Sequence, residues 1–156
     1  VNNAAVMITG RSVVDTQTRH YLLGLRVNLL GPFLLCKYAL PSMMERRSGS
    51  IINIGSGASV SRNPGVANYA STKAGLERFT IVLAEEVREY NISVNCLDPG
   101  PIKSEAAEML QPPDHNWSQY APPKAVGPSA VFLAVQDAKS FTGRLVHRTE
   151  FHKTWP

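Results

Sequence analysis

The chain has 156 residues, of which 44% are apolar and 18% charged, with a formal net charge of +4. That is enough for one domain with a core. The basic residues are scattered apart from Arg46-Arg47, which argues against nucleic acid as a partner but suits a small ligand bearing phosphate. Apolar runs are interrupted by Asn28, Gly31, Lys37 and Pro41 before about 18 residues accumulate, so no membrane partner is expected. No secretory signal is visible. Cys36 and Cys96 share no CxxC spacing and read as buried thiols of a reducing, cytoplasmic compartment, without a disulfide framework or a metal site.

In chain order, VNNAA at residues 1–5 reads as a strand end and the loop after it. From Asp15 to Arg47 the apolar residues Leu22, Leu25, Leu29, Phe33 and Tyr38 recur near the helical period. Gly24 and Gly31-Pro32 interrupt that run, so a kinked helix or two abutting helices are expected. SIINIGS at 50–56 is apolar and β-branched without polar alternation, as expected of a strand covered on both faces. A long helix is expected from about Asn68 to Tyr90, with Leu76, Phe79, Leu83 and Val87 as its apolar stripe. ISVNCL at 92–97 is a second buried strand, and Asp98-Pro99-Gly100-Pro101 a rigid turn. Residues 103–123 suggest a mobile covering loop. A helix at about Pro128–Val135 and a strand-like stretch at 142–147 follow, while FHKTWP has no clear assignment. Strands alternating with helices predict a doubly wound α/β domain.

Tyr69 and Lys73 lie four residues apart, hence on one helix face. A phenol ionises near pH 10 when unperturbed. A neighbouring ammonium favours the phenolate and lowers that value, fitting the pair for proton transfer to or from an alcohol oxygen. By itself the spacing fits a wet amphipathic helix equally well. Ser56 adds weight: it ends a buried strand, where α/β sheets open their ligand crevice. Its hydroxyl could stabilise charge developing on a substrate oxygen. Asn28, an amide inside an apolar stripe, needs partners and reads alone as a cap or kink former.

Together, Asn2-Asn3-Ala4-Ala5, Asn28 in VNLLGPF, Ser56 in IINIGSGAS, Tyr69-Ala-Ser-Thr-Lys73, Asp98-Pro99-Gly100 and Thr142-Gly143 resemble the short-chain dehydrogenase/reductase family in order and spacing. The resemblance implies a Rossmann-like fold and a catalytic tetrad of Asn28, Ser56, Tyr69 and Lys73. Tyr69 would be the general acid/base, and Lys73 would lower its pKa and hold the nicotinamide ribose. Ser56 would polarise the carbonyl, and Asn28 would hold a water in a proton relay. NAD or NADP would be the cofactor, contacted by Asn2, Ala4, Ala5, Tyr69, Lys73, Pro99, Gly100, Ile102 and Ser104. The substrate would be a small, apolar alcohol or carbonyl compound, held by residues 6–14, 57–66 and 103–121, including Trp117 and Tyr120. An isomerase, a dehydratase and a non-catalytic dinucleotide-binding protein are alternatives on the same fold. A homo-oligomer, dimer or tetramer, is implied, with helices 15–46 and 68–90 packing across a two-fold axis.

The chain departs from the family in three places. Ala5 stands for a glycine, and Ser104 for a threonine. The glycine-rich TGxxxGxG loop is absent from these residues; Thr9-Gly10-Arg11 begins like it but lacks the spaced glycines. Residues 1–156 are therefore expected to be the C-terminal portion of a truncated doubly wound domain, lacking its first three strands. Expressed alone, such a chain is expected to be poorly soluble and inactive. His147, Arg148 and Glu150, in the tail, have no assigned role.

Overall fold

The computed structural model describes all residues from Val1 to Pro156. Three parallel strands, β1 (Gly49–Ile54), β2 (Ile92–Asp98) and β3 (Leu145–His147), form a sheet in the order β1-β2-β3. The register pairs Gly49 with Ile92 and Ile54 with Leu97 on one side of β2, and Cys96 with Leu145 on the other. The strand end expected at residues 1–5 is a single parallel rung: Asn2 pairs with Asn53, its N–H donating to the Ile52 carbonyl at 2.8 Å.

Both faces of the sheet are covered, so even the polar residues that alternate along β2, Ser93 and Asn95, are buried. On one face Ile51, Ile92 and Val94 pack with Cys36 of helix α2 (Gly31–Glu45) and with Leu83, Ala84 and Val87 at the end of helix α3 (Ala67–Glu86). On the other, Ile52 and Leu97 pack with Leu133 of α5 (Gly127–Ala134) and with Trp155. Two groups of β2 hold loops: the Asn95 amide donates to the Phe141 carbonyl and accepts from Arg144 N–H, and the Val94 main-chain N–H donates to the Thr142 hydroxyl.

The first helical run begins with α1 (Thr18–Leu25) and is joined to α2 by a single π turn, Arg26–Leu30. The interruption expected at Gly24 and Gly31-Pro32 is therefore a widened turn centred on Asn28. As one run of 28 residues, Thr18–Glu45 includes an 18-residue stretch of mean hydropathy 1.2, long and apolar enough by composition to cross a membrane. Here it packs through Cys36, Leu40 and Met43 onto the core. The covering loop contains a short helix that the sequence did not announce, α4 (Glu105–Leu110). Downstream of α4, Trp117 and Tyr120 stack edge-on with each other (centroids 4.9 Å apart) and with His115. The unassigned tail is ordered by Trp155, which is buried.

Candidate active site

Three sequence features bring Ser56 to the helix that carries Tyr69. β1 ends at Ile54, and Gly55 follows it into close quarters: a Cβ there would stand 2.6 Å from Cys96 Sγ and 3.5 Å from Glu77 Oε1. Ser56 is extended and caps the short 3-10 turn Gly57–Val60, its Oγ accepting from Ala58 N–H at 3.2 Å. Across the cleft, α3 places Tyr69, Lys73 and Glu77 at successive i,i+4 positions, so the three share one face.

Lys73 is 2% exposed, and its ammonium donates to the Ile54 carbonyl at 2.7 Å. It stands 5.6 Å from the centroid of the Tyr69 ring. The expectation that Tyr69 is lowered does not hold in this chain. Burial pushes the phenol up, the Ser56 hydroxyl draws it partly back, and the Asp98 carboxylate pushes it up again. The ammonium opposite, tied to the main chain, does not reverse this. Burial lowers Lys73 in turn, against the support of Cys96, Asp98 and Glu77. Glu77 is raised by burial and then moderated by the Ser59 hydroxyl. The Cys96 thiol beneath Gly55 is pushed up to about 12, chiefly by burial.

Asn28 is fully buried, and its side chain is committed. Oδ1 accepts from Val6 N–H at 2.8 Å, and Nδ2 donates to the Val6 carbonyl at 2.9 Å and to the Thr72 hydroxyl at 3.0 Å. Thr72 in turn donates to the Tyr69 carbonyl at 2.8 Å. The amide thus ties the loop after Asn2 to the first turns of α3. The π turn supplies the extra residue that points it there.

The remaining expected residues fall around this cleft. Asn2 is held at the sheet, its Nδ2 donating to Asn53 Oδ1 at 2.7 Å, while Ala4 and Ala5 are exposed beyond it. Gly100 takes a left-handed φ of 65°, a conformation that favours glycine, and its N–H donates to Asp98 Oδ1 at 2.8 Å. Ile102 bridges Ala121. The Ser104 hydroxyl is occupied as the N-cap of α4, accepting from Ala107 N–H at 3.2 Å.

Sequence reasoning missed Asp98 and Glu77 as charges of this cleft, and Thr72 as the partner of Asn28. Glu77 had a readable signal, since it continues the spacing of Tyr69 and Lys73. Asp98 was read only as part of a turn. The donor set fits the nicotinamide-ribose end of a dinucleotide: Lys73 has one protein acceptor, which leaves its other N–H donors for a sugar diol. These residues hold no glycine-rich loop for a pyrophosphate.

Residues 1–114 match the family model for short chain dehydrogenase. The 3-oxoacyl-acyl-carrier-protein reductase FabG of Rickettsia felis is 38% identical over 128 residues, covering 78% of this chain and 53% of that protein. The solved structure of ElxO with NADP bound aligns with a TM-score of 0.81 at 27% identity, over 93% of this chain and 62% of that one. A 3-oxoacyl-acyl-carrier-protein reductase from Brucella melitensis with bound NAD aligns at 0.79 with 29% identity, over 94% of this chain and 58% of that one. The chain spans about half the length of the curated relatives it matches.

Proposed function

The chain belongs to the short-chain dehydrogenase family, and from that premise we propose that the whole protein is an NAD(P)-dependent oxidoreductase interconverting a secondary alcohol and its carbonyl compound. One observation carries the reading. The Tyr69–Lys73 face of α3 lies against the end of β1, with Lys73 tied to Ile54 and Ser56 two residues further on.

When bound, the nicotinamide gives or takes a hydride at the substrate carbon. In reduction, Tyr69 gives its proton to the carbonyl oxygen; in oxidation it takes the hydroxyl proton. Ser56 donates to the same oxygen and steadies its negative charge. Lys73 holds the ribose hydroxyls with the donors that Ile54 does not use. Asn28 keeps its assigned place in the proton relay through its main chain, because its amide is already paired. Pro32 has no N–H, so an α-type ladder cannot give the Asn28 carbonyl its usual donor, and that carbonyl is the group to hold a water. Asn2, Ala4 and Ala5 line the dinucleotide's path by backbone contact. Pro99, Gly100, Ile102 and Ser104 flank the nicotinamide, Ser104 by its main chain.

Because Tyr69 is raised, it is in its acid form at neutral pH and is ready for carbonyl reduction, whereas alcohol oxidation gains as pH rises. Exposed Met7, Val60, Met109 and Leu110 favour an apolar substrate. Leu22, Leu30, Phe33 and Leu35 make an exposed apolar face on α1–α2 that suits a second copy of the chain. Two free, buried thiols accord with a cytoplasmic location. Tyr69→Phe in the whole protein tests the reading. Carbonyl reduction should fall by about a hundred- to ten-thousandfold, and a near wild-type rate would remove Tyr69 from the chemistry.

A further inference from the structure

The segment after Gly143 has a structure of its own. Trp155 is 7% exposed, and its ring lies 4.7 Å from Phe151 and 5.9 Å from both Phe132 and Phe141, centroid to centroid. Its indole N–H donates to the His147 carbonyl at 3.0 Å. The backbone closes on itself, with His152 N–H on the Trp155 carbonyl at 2.8 Å and Lys153 and Thr154 N–H on the Glu150 carbonyl at 3.0 Å. Residues 147–155 are thus a knot fastened to α5 through Phe132 and Leu133.

From that anchored knot two side chains reach the turn after β2. Arg148 Nε donates to the Pro99 carbonyl at 2.7 Å. The His147 ring lies against Gly100: a Cβ added there would come within 3.1 Å of Nε2, and the same nitrogen stands 3.9 Å from Asp98 Oδ2. Thr149 N–H donates to His147 Nδ1 at 3.2 Å, which leaves the neutral ring's hydrogen on Nε2, facing Asp98. Pro99 and Pro101 have no N–H, so Gly100 supplies the only donor of residues 99–101, and Asp98 accepts it. The Pro99 carbonyl and the Gly100 N–H are therefore both held by charged side chains, one from the tail and one from β2.

We propose that residues 144–156 are a strap, and that Arg148 and His147 are positioning residues that hold the Asp98-Pro99-Gly100 turn in the shape that receives the nicotinamide. The second half of this statement rests on the dehydrogenase reading of that turn. The strap accounts for His147 and Arg148, which the catalytic assignment leaves unused.

Hydrogen exchange and cofactor titration in the whole protein separate the two halves. Arg148→Gln should speed exchange of the Gly100 amide about tenfold while leaving the Val94 and Cys96 amides of β2 unchanged. Arg148→Lys, which still offers Pro99 a charged donor, should recover part of the protection. The KM for the nicotinamide cofactor should rise several-fold in Arg148→Gln with kcat little altered, and Lys153→Gln, on the exposed side of the knot, should change neither readout. Unaltered Gly100 exchange in Arg148→Gln overturns the strap. Faster exchange with unchanged cofactor affinity overturns the assignment of the turn to the nicotinamide, and is distinguishable from failure of the enzyme reading, which Tyr69→Phe reports on its own.

Discussion

Helix α3 hides most of its apolar residues, while the α1–α2 run displays many of its own. Leu76, Leu83 and Ala84 are at most 4% exposed, whereas Leu22, Leu30, Phe33 and Leu35 stand at 43% or more. Both stretches have apolar residues at helical spacing, so the period alone does not say which stripe is covered. The difference lies in what each faces. The α3 stripe meets the sheet, and the same rotation that buries it turns Tyr69 and Lys73 toward the end of β1. Apart from Cys36, Leu40 and Met43, the apolar residues of α1–α2 are left largely uncovered by this chain. In one helix burial has set the face that carries Tyr69 and Lys73, and in the other it has left apolar side chains uncovered.

The comparison can be broken most directly by truncation. Leu83→Ala should cost about 3 kcal/mol of unfolding free energy by urea titration, and Leu35→Ala no more than about 0.5 kcal/mol. Equal costs would mean that the outer face is as covered as the inner one. Next in size is Gly55→Ala, expected to cost about 1–3 kcal/mol by overpacking, because its Cβ would press on Cys96 Sγ. The double variant Gly55→Ala/Cys96→Ala should regain part of that loss; if it does not, the inner face is looser than its burial implies. On the outer face, Phe33→Glu should weaken self-association about tenfold or more by sedimentation, with the urea midpoint of the monomer unmoved. An unchanged sedimentation profile would leave that face without a second copy.

The last effect appears only in alkali. The folded pKa of Cys96 is raised from 9.0 to about 12, chiefly by burial. A raised folded pKa means that this stabilisation is whole below pH 9.0 and is lost as pH rises through about 12. Wild type should therefore lose more stability than Cys96→Ala between neutral pH and about pH 11, measured as urea midpoints. Parallel losses would show that the thiol beneath Gly55 is not the group responsible.

Much of this protein follows from local pattern. The short, β-branched segments at 50–56 and 92–97 read as strands covered on both sides, and the spacing of Tyr69, Lys73 and Ser56 reports a helix face beside a strand end. Those features depend on neighbours within a few residues, which a sequence displays directly. Tertiary structure decided what depends on distant residues meeting. Asp98, 29 positions after Tyr69 in the chain, joins burial in raising the phenol that the spacing alone suggested would be lowered. The Asn28 amide, which alone read as a cap or kink former, is instead paired with Val6 and Thr72, 22 and 44 residues away in the chain. The tail, without periodicity or motif, is ordered because four aromatic rings converge: Phe132 of α5, Phe141, and Phe151 and Trp155 of the tail itself. Burial, desolvation and charge at a distance are properties of the assembled fold, and they set the chemistry of residues whose identities the sequence had already named.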